Sequence, residues 1–349
     1  MSFFKQFGGK VTAEWEAIYR KSPQWKNGQF RNIEDISLST SLRKVPSMLY
    51  KQFRNRGERK PRIPIPIVPY DHDRFTGLGS ETRMIWYGHS AILMNVGGTT
   101  IFIDPMLGPD TAPIAPGGSS RFSEDTLSII DHLPEIDVVL ITHDHYDHLD
   151  LKSILAIKSK VKKFIVALGV KRHLTAWEVN PELVTESDWW DEHIIDDIEI
   201  TFTPTRHFSG RGLRDRMKAL WGGWVIKSPS TSIWFSGDGG YGNHFKEVGK
   251  RKGPFDIGFM ESGQYNDDWP DVHMFPHEAV QAAIDGGVRK AMPVHWGGFD
   301  LSYQHRWHDP AEEFIIAAEK NNLSYHLPAL GEITTIDQEC TDSWWTSYM

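Results

Sequence analysis

Nine consecutive residues, Thr142-His143-Asp144-His145-Tyr146-Asp147-His148-Leu149-Asp150, hold three histidines and three acids. The six residues before them, Ile136-Asp137-Val138-Val139-Leu140-Ile141, form a short apolar, β-branched run, the pattern of a buried strand. The polar cluster therefore leaves a strand end as a loop, where side chains can converge on one point. His143 and His145 are two apart, so an extended segment puts them on the same side; Asp147 and His148 follow after the chain turns. Neutral imidazoles with a carboxylate suit zinc, manganese or iron rather than calcium. Four donors on one loop can begin two metal sites. Further donors are expected at the ends of later strands. Asp238 follows the apolar run Ile233-Trp234-Phe235 inside Ser236-Gly237-Asp238-Gly239-Gly240. Glycines on both sides let its carboxylate approach a cation, and one carboxylate can bridge two cations about 3.5–4 Å apart.

These side chains need strands to position them. Short apolar runs at 84–87, 91–96 and 99–103 read as strands, with Gly97-Gly98 as a hairpin turn between two of them. The run 138–141 delivers the histidine loop, and 151–160 reads as the helix after it. Further strands are expected at 163–167, 198–203, 224–227, 232–235, 255–260 and 290–294. Helices are expected at 276–284 and 310–320, each opening with proline in its first turn. The segment 108–122, rich in Pro, Gly and Ser, reads as a long loop. Strands interleaved with helices favour layered sheets covered by helices.

Composition narrows the class. The chain has 349 residues, 40% apolar and 24% charged, as in ordinary globular proteins. Its 14 tryptophans are expected mostly in the core. The single cysteine, Cys340, excludes an internal disulfide and fits a reducing compartment. No apolar run reaches the roughly 18 residues of a membrane span, and the first ten residues lack a signal-peptide core; a cytoplasmic protein is expected. The net charge of −8 is uneven: residues 1–62 carry 14 Lys and Arg against 5 Asp and Glu, so the remainder is strongly acidic. Within that basic part, 11–20 and 46–53 could be short helices. The alternation of Pro and Ile at 61–69 reads as an extended connector. The expected division is a basic arm with its connector at 1–69 and a catalytic domain at 70–349. The arm could meet anionic lipid at the inner face of a membrane, or lie across the acidic body of its own or a neighbouring subunit in a homodimer. An acidic body repels nucleic acid.

The pattern His143-x-His145-x-Asp147-His148 after a strand resembles the metallo-β-lactamase superfamily of two-metal hydrolases. The resemblance runs from about Met84 to Asp309. It is closest to the branch of N-acyl-phosphatidylethanolamine-hydrolysing phospholipase D and its bacterial relatives. Matching stretches are Trp86-Tyr87-Gly88-His89-Ser90, Ile103-Asp104-Pro105-Met106, Gly210-Arg211-Gly212-Leu213, Ser236 to Tyr241, Gly249-Lys250-Arg251 with Gly253-Pro254-Phe255-Asp256, and His295-Trp296-Gly297. The resemblance implies an α/β fold, the αββα metallo-β-lactamase sandwich. It adds His207 and His295 as ligands, so that His143, His145 and His207 would bind one cation and Asp147, His148 and His295 the other, with Asp238 bridging. The cofactors implied are two divalent metal ions, Zn2+ first and Mn2+ or Fe2+ as alternatives. Asp104 and His89 would brace the metal loop. Asp147, Tyr146 and His273 are the candidate catalytic residues, His273 for contact with a phosphoryl oxygen or for protonating a leaving group, and Arg211 and Gln264 are candidate anion contacts. The implied activity is a phospholipase D-type cut of an N-acyl-phosphatidylethanolamine-like lipid, or another anionic small-molecule substrate, by a metal-bridging hydroxide. A lactonase or other carbonyl-directed hydrolase on the same site is the alternative. A redox di-iron protein would need a further cofactor domain, and a non-catalytic module would be expected to have lost ligands.

Overall fold

The computed structural model describes residues 3–36, 50, 58–77, 81–112, 119–212 and 214–349. β1 (Trp25–Lys26) and β2 (Gln29–Phe30) form a small antiparallel hairpin in the N-terminal segment, and two mostly apolar runs become β4 (Ile92–Val96) and β5 (Thr99–Ile103), each buried along its whole length. Gly97 and Gly98 join them with φ of 58° and 94°, the left-handed pair that a two-residue hairpin turn requires. With β3 (Arg83–Trp86), β6 (Ile136–Ile141), β7 (Val161–Ala167), β8 (Val184–Ser187) and β16 (Ile333–Thr335) they form one sheet in the order β16-β3-β4-β5-β6-β7-β8. The second sheet runs β15-β14-β13-β12-β11-β10-β9. Its strands are β9 (Glu192–Ile195), β10 (Ile198–Thr203), β11 (Gly223–Lys227), β12 (Ser232–Phe235), β13 (Phe255–Glu261), β14 (Val288–Val294) and β15 (Ser324–Tyr325).

The two sheets repeat one pairing pattern. In each, a four-stranded antiparallel block is extended by three parallel strands: β16-β3-β4-β5 by β6, β7 and β8, and β9-β10-β11-β12 by β13, β14 and β15. This internal symmetry is absent from the sequence as a visible repeat. It has a consequence for function. β3, β5 and β6 point the same way within their sheet, as do β10, β12, β13 and β14 within theirs. Their carboxyl ends carry, in turn, His89, Asp104, the histidine loop, His207, Asp238, Glu261 and His295. Ligand sites of parallel sheets sit at such carboxyl ends.

The main core lies where the sheets face each other, with Trp86, Trp177, Trp221, Trp224 and Trp296 fully buried in it. The tryptophans thus mostly fill core, as expected. A second apolar cluster lies under α6 (His244–Lys252), α7 (Pro276–Gly286) and α8 (Asp309–Lys320), around Trp234, Phe245, Val280 and Phe314. α4 (Leu151–Ile157) follows the histidine loop, and the Asp150 carboxylate caps it by accepting from Ser153 N at 2.8 Å. Further short helices with described bounds are α1 (Ala13–Tyr19), α2 (His72–Thr76), α3 (Ile129–His132) and α5 (Lys171–Ala176).

Aromatic side chains tie the N-terminal segment to this body. Tyr19, Trp25 and Phe30 pack on one another at 4.8–5.6 Å between ring centroids and belong to the main core cluster. The Pro/Ile stretch is extended, and Ile65 N and Val68 N donate to Phe122 O and Leu330 O. The helix expected at 46–53 lies outside the described residues apart from Tyr50. The sequence did not reveal β1, β2, β8, β9, β15, β16, α2, α3, α5 or α6. β15 and β16 are too short to show a period, β9 is a half-exposed edge, and α6 (HFKEVGKRK) is mostly polar.

α6 and α7 meet through facing glycines. A Cβ on Gly249 would lie 2.7 Å from the Gly286 backbone. Alanine at Gly249 would gain about 1 kcal/mol of helix propensity. Overpacking against backbone costs about 1–3 kcal/mol and should win. Gly249→Ala is expected to lower the urea unfolding free energy, most of it as a lower midpoint at unchanged slope.

Candidate metal centre

Three imidazoles converge first. His143 Nε2 lies 2.9 Å, and His207 Nε2 3.2 Å, from His145 Nδ1. Hydrogen bonds on the far side of two rings fix where their protons are. His207 Nδ1 donates to Val272 O at 2.9 Å. Thr142 Oγ1 donates to Asp104 Oδ2 at 2.6 Å and therefore accepts from His143 Nδ1 at 2.9 Å. Both Nε2 atoms then present lone pairs inward. One proton on His145 Nδ1 could satisfy only one of them, whereas a cation satisfies all three.

A second group adjoins it. The His148 Nε2 and His295 Nε2 atoms lie 3.3 Å apart and each is 3.0 Å from Asp238 Oδ2. Asp147 Oδ2 is 3.2 Å from His295 Nε2 and 3.6 Å from His148 Nε2. The same Asp238 oxygen is 3.9 Å from His207 Nε2, so it stands between the two groups, where a bridging ligand must be. His148 Nδ1 donates to Asp104 Oδ2 at 2.7 Å, and Asp104 Oδ1 accepts from Thr142 N; the backbone of Asp104 takes a left-handed φ of 39° to make this reach. Asp104 thus braces two ligands at once, in the manner usual for carboxylates behind metal-bound histidines. His89 Nε2 holds Asp147 Oδ2 at 2.9 Å, also as a brace.

Electrostatics favour cations here. Burial and mutual repulsion hold His143 and His207 well below the usual histidine range. Burial alone would lower His148 as well, but the carboxylates of Asp238, Asp147 and Asp104 draw it up to about 10. Burial likewise opposes charge on His295, yet Asp238 and Asp147 raise it far above the usual value. Protons therefore gather on the carboxylate side in the role a divalent ion would fill, and metal uptake must displace them. Seven donors for two cations leave coordination positions open, as a catalytic rather than a structural site requires. The open side is formed by the half-buried His145, Asp147 and His273.

The structure brings together His143, His145, Asp147, His148, His207, Asp238 and His295. It also brings His273 to their edge: its ring stacks on His295 at 5.1 Å, and a ring nitrogen lies within 4.8 Å of the donor atoms of His207 and Asp238. Three expectations are corrected. The Tyr146 hydroxyl donates to Arg211 O at 2.6 Å and its ring packs 4.0 Å from the Arg211 guanidinium. It is a packing residue, and burial pushes its phenol up to about 12. The Arg211 guanidinium is buried and donates to the carbonyls of Asp144, Leu149 and Gln6, which leaves no fork for an anion. Gln264 bonds to His295 O, Phe299 O, Leu301 N and Ser302 N, so its amide is occupied in shaping the loop after His295.

Sequence reasoning missed two buried acids. Glu261 ends strand β13, after the buried residues Ile257, Gly258, Phe259 and Met260. Its Oε1 is 3.2 Å from His273 Nδ1 and 3.4 Å from His295 Nδ1, and its Oε2 accepts from Met274 N. An acid directly after the apolar, buried stretch 257–260 was the available signal. Asp144, between two ligands, accepts from Gly210 N at 2.7 Å, His173 Nε2 at 3.2 Å and Arg172 Nη2 at 3.3 Å. Burial raises its carboxyl, but His173 and Arg172 outweigh burial and hold it well below the ordinary range. A depressed folded value contributes stability above the unfolded pKa, and that contribution fades as pH falls toward the folded one. Breaking such a buried pair costs about 3–5 kcal/mol. Asp144→Ala should lose that much in urea unfolding at neutral pH, and the difference from the wild type should shrink on acidification below about pH 4.

Comparison with known proteins places this arrangement. Residues 99–296 match the family described as the beta-lactamase superfamily domain. An uncharacterized protein of Mycobacterium tuberculosis is 33% identical over 329 residues, 93% of this chain and 87% of its own length. N-acyl-phosphatidylethanolamine-hydrolyzing phospholipase D 1 of Caenorhabditis elegans is 29% identical over 265 residues, 71% of this chain and 74% of its own. Among solved structures, the metallo hydrolase Igni18 of Ignicoccus hospitalis superposes with a TM-score of 0.55 at 20% identity, over 74% of this chain and 99% of its own. With the repeated sheets and the His/Asp cluster at their carboxyl ends, the chain belongs to the beta-lactamase superfamily and is one of its metal-dependent hydrolases.

Proposed function

We propose that the protein is a phosphodiesterase of phospholipase D type, acting on N-acyl-phosphatidylethanolamine-like lipids. The observation that carries this reading is the imidazole of His273 on the open side of the cluster, anchored by Glu261, in a chain related over most of its length to a phospholipase D of that specificity. When bound, two divalent ions supply positive charge for phosphoryl oxygens and a water of lowered pKa. The remaining work falls to side chains. His143, His145 and His207 would hold one ion, and Asp147, His148 and His295 the other. Asp238, between the two groups, would contribute to holding both. With its Nδ1 toward Glu261, His273 presents Nε2 to the substrate. As the water oxygen bonds to phosphorus, the bond to the head-group oxygen breaks; that oxygen takes a proton from His273 Nε2 as it leaves, and the proton released by the water restores His273. The products are a phosphatidic acid and an N-acylethanolamine. Zinc is the expected metal, since five imidazoles and two carboxylates suit a borderline ion.

A bilayer substrate requires the enzyme to reach a membrane surface. Among the described residues no helix is long and apolar enough to cross one. Peripheral contact through the basic N-terminal segment, where Ile18 and Ile33 are exposed beside lysines and arginines, fits that requirement and an inner-leaflet location.

The test is product analysis in 18O-labelled water with N-acyl-phosphatidylethanolamine in mixed vesicles and, in parallel, lactones. The reading expects label in the phosphatidic acid and none in the N-acylethanolamine. Label in the alcohol product, or turnover of lactones alone, contradicts it. His273→Ala should slow phosphodiester turnover by about 10²–10⁴-fold with both metal equivalents retained; a wild-type rate would return His273 to a packing role.

A further inference from the structure

The N-terminal segment reaches the metal centre itself, and it does so on one side. Asn32 makes a two-bond clamp on the backbone of His207: its Nδ2 donates to His207 O at 2.7 Å, and His207 N donates to its Oδ1 at 3.1 Å. Trp221 Nε1 also donates to Oδ1, at 3.0 Å, which fixes the amide orientation. A second anchor lies behind His143 and His145. Their shared neighbour Asp144 is held by Arg172 and His173. That pair is in turn held by the turn at residues 5–9: Gly9 N donates to His173 Nδ1 at 3.1 Å and Arg172 Nε donates to Gly9 O at 3.2 Å. The fit is close enough to demand glycine. A Cβ on Gly9 would lie 2.1 Å from Arg172 O, and one on Gly8, at φ 69°, 2.0 Å from His173 Nδ1. The carboxylate group of donors is braced differently. Asp104, His89, Glu261 and Thr205 hold His148, Asp147, His295 and Asp238 respectively, and all four belong to the sandwich.

We infer that residues 5–36 complete the three-histidine subsite, with Asn32 as a positioning residue for His207, while the subsite of Asp147, His148 and His295 forms without them. The inference rests on the two-cation reading of the centre. Its physical basis is that a ligand displaced slightly from its place loses metal affinity, typically about 10–100-fold when its supporting partner is removed. Asn32 touches no donor atom, so its effect must pass through the backbone of His207.

The experiment uses the full-length protein, stripped of metal and titrated with Zn2+ against a competing chelator. Wild type should take two equivalents. Asn32→Ala should take one at unchanged affinity and a second about 10–100-fold more weakly. Gly9→Ala, which perturbs the other anchor, should weaken the same equivalent. Adding His207→Ala to Asn32→Ala should leave one tight ion, whereas adding His295→Ala should leave none. Two tight equivalents in both single variants, or equal weakening of both ions, would overturn the inference, because a merely structural role has no reason to distinguish them. A wild type that takes no Zn2+ would instead overturn the two-cation reading on which it stands.

Discussion

Buried lone pairs facing one another are the constraint from which the rest of this structure follows. His143 and His207 are each protonated on the far nitrogen by a hydrogen bond the fold imposes, and both aim Nε2 at His145. On the other side Asp147 and Asp238 face His148 and His295. Unpaired, such groups would cost several kcal/mol each in a dry interior. Divalent cations relieve that cost, and they also explain why the fold tolerates so many polar side chains at the ends of apolar strands.

The sheets meet this requirement by direction. Each places an antiparallel block beside parallel strands, so that strands from both sheets end at one edge with short loops after them. Cβ-bearing residues there adopt left-handed backbone where needed: His89, Asp104 and His295 all have positive φ. Strain of this kind persists only where surrounding contacts over-determine it. Here those contacts are the mutual hydrogen bonds of the cluster. His89 and His295 also exchange backbone bonds across the interface between the sheets, His295 N with His89 O and His89 N with Trp296 O, which couples the two halves of the sandwich at the site.

The histidine loop and the bridging aspartate could be read from the chain because both follow apolar runs with turn-forming neighbours, a local pattern. His207 and His295 are solitary histidines whose role came from resemblance alone; nothing within several residues marks them. Tyr146 and Arg211 were misjudged for a related reason. Proximity to the ligands in sequence does not say which way a side chain points, and both turn into the packing behind the loop. Glu261 carried a local signal that was overlooked, whereas Asn32 and the Arg172–His173 pair were invisible because their partners at the site lie 28 to 175 residues away. The main strands were legible from apolar runs, while short edge strands and the polar helix α6 carry too little periodicity to register.

The central claim is that two cations sit on either side of Asp238. Anomalous diffraction from crystals of the purified protein, collected above and below the absorption edge of the metal found in it, tests that claim most directly. Two peaks are predicted, about 3.5–4 Å apart, one among His143, His145 and His207 and the other among Asp147, His148 and His295. A single peak, or none within this cluster in protein that retains hydrolytic activity, would contradict it.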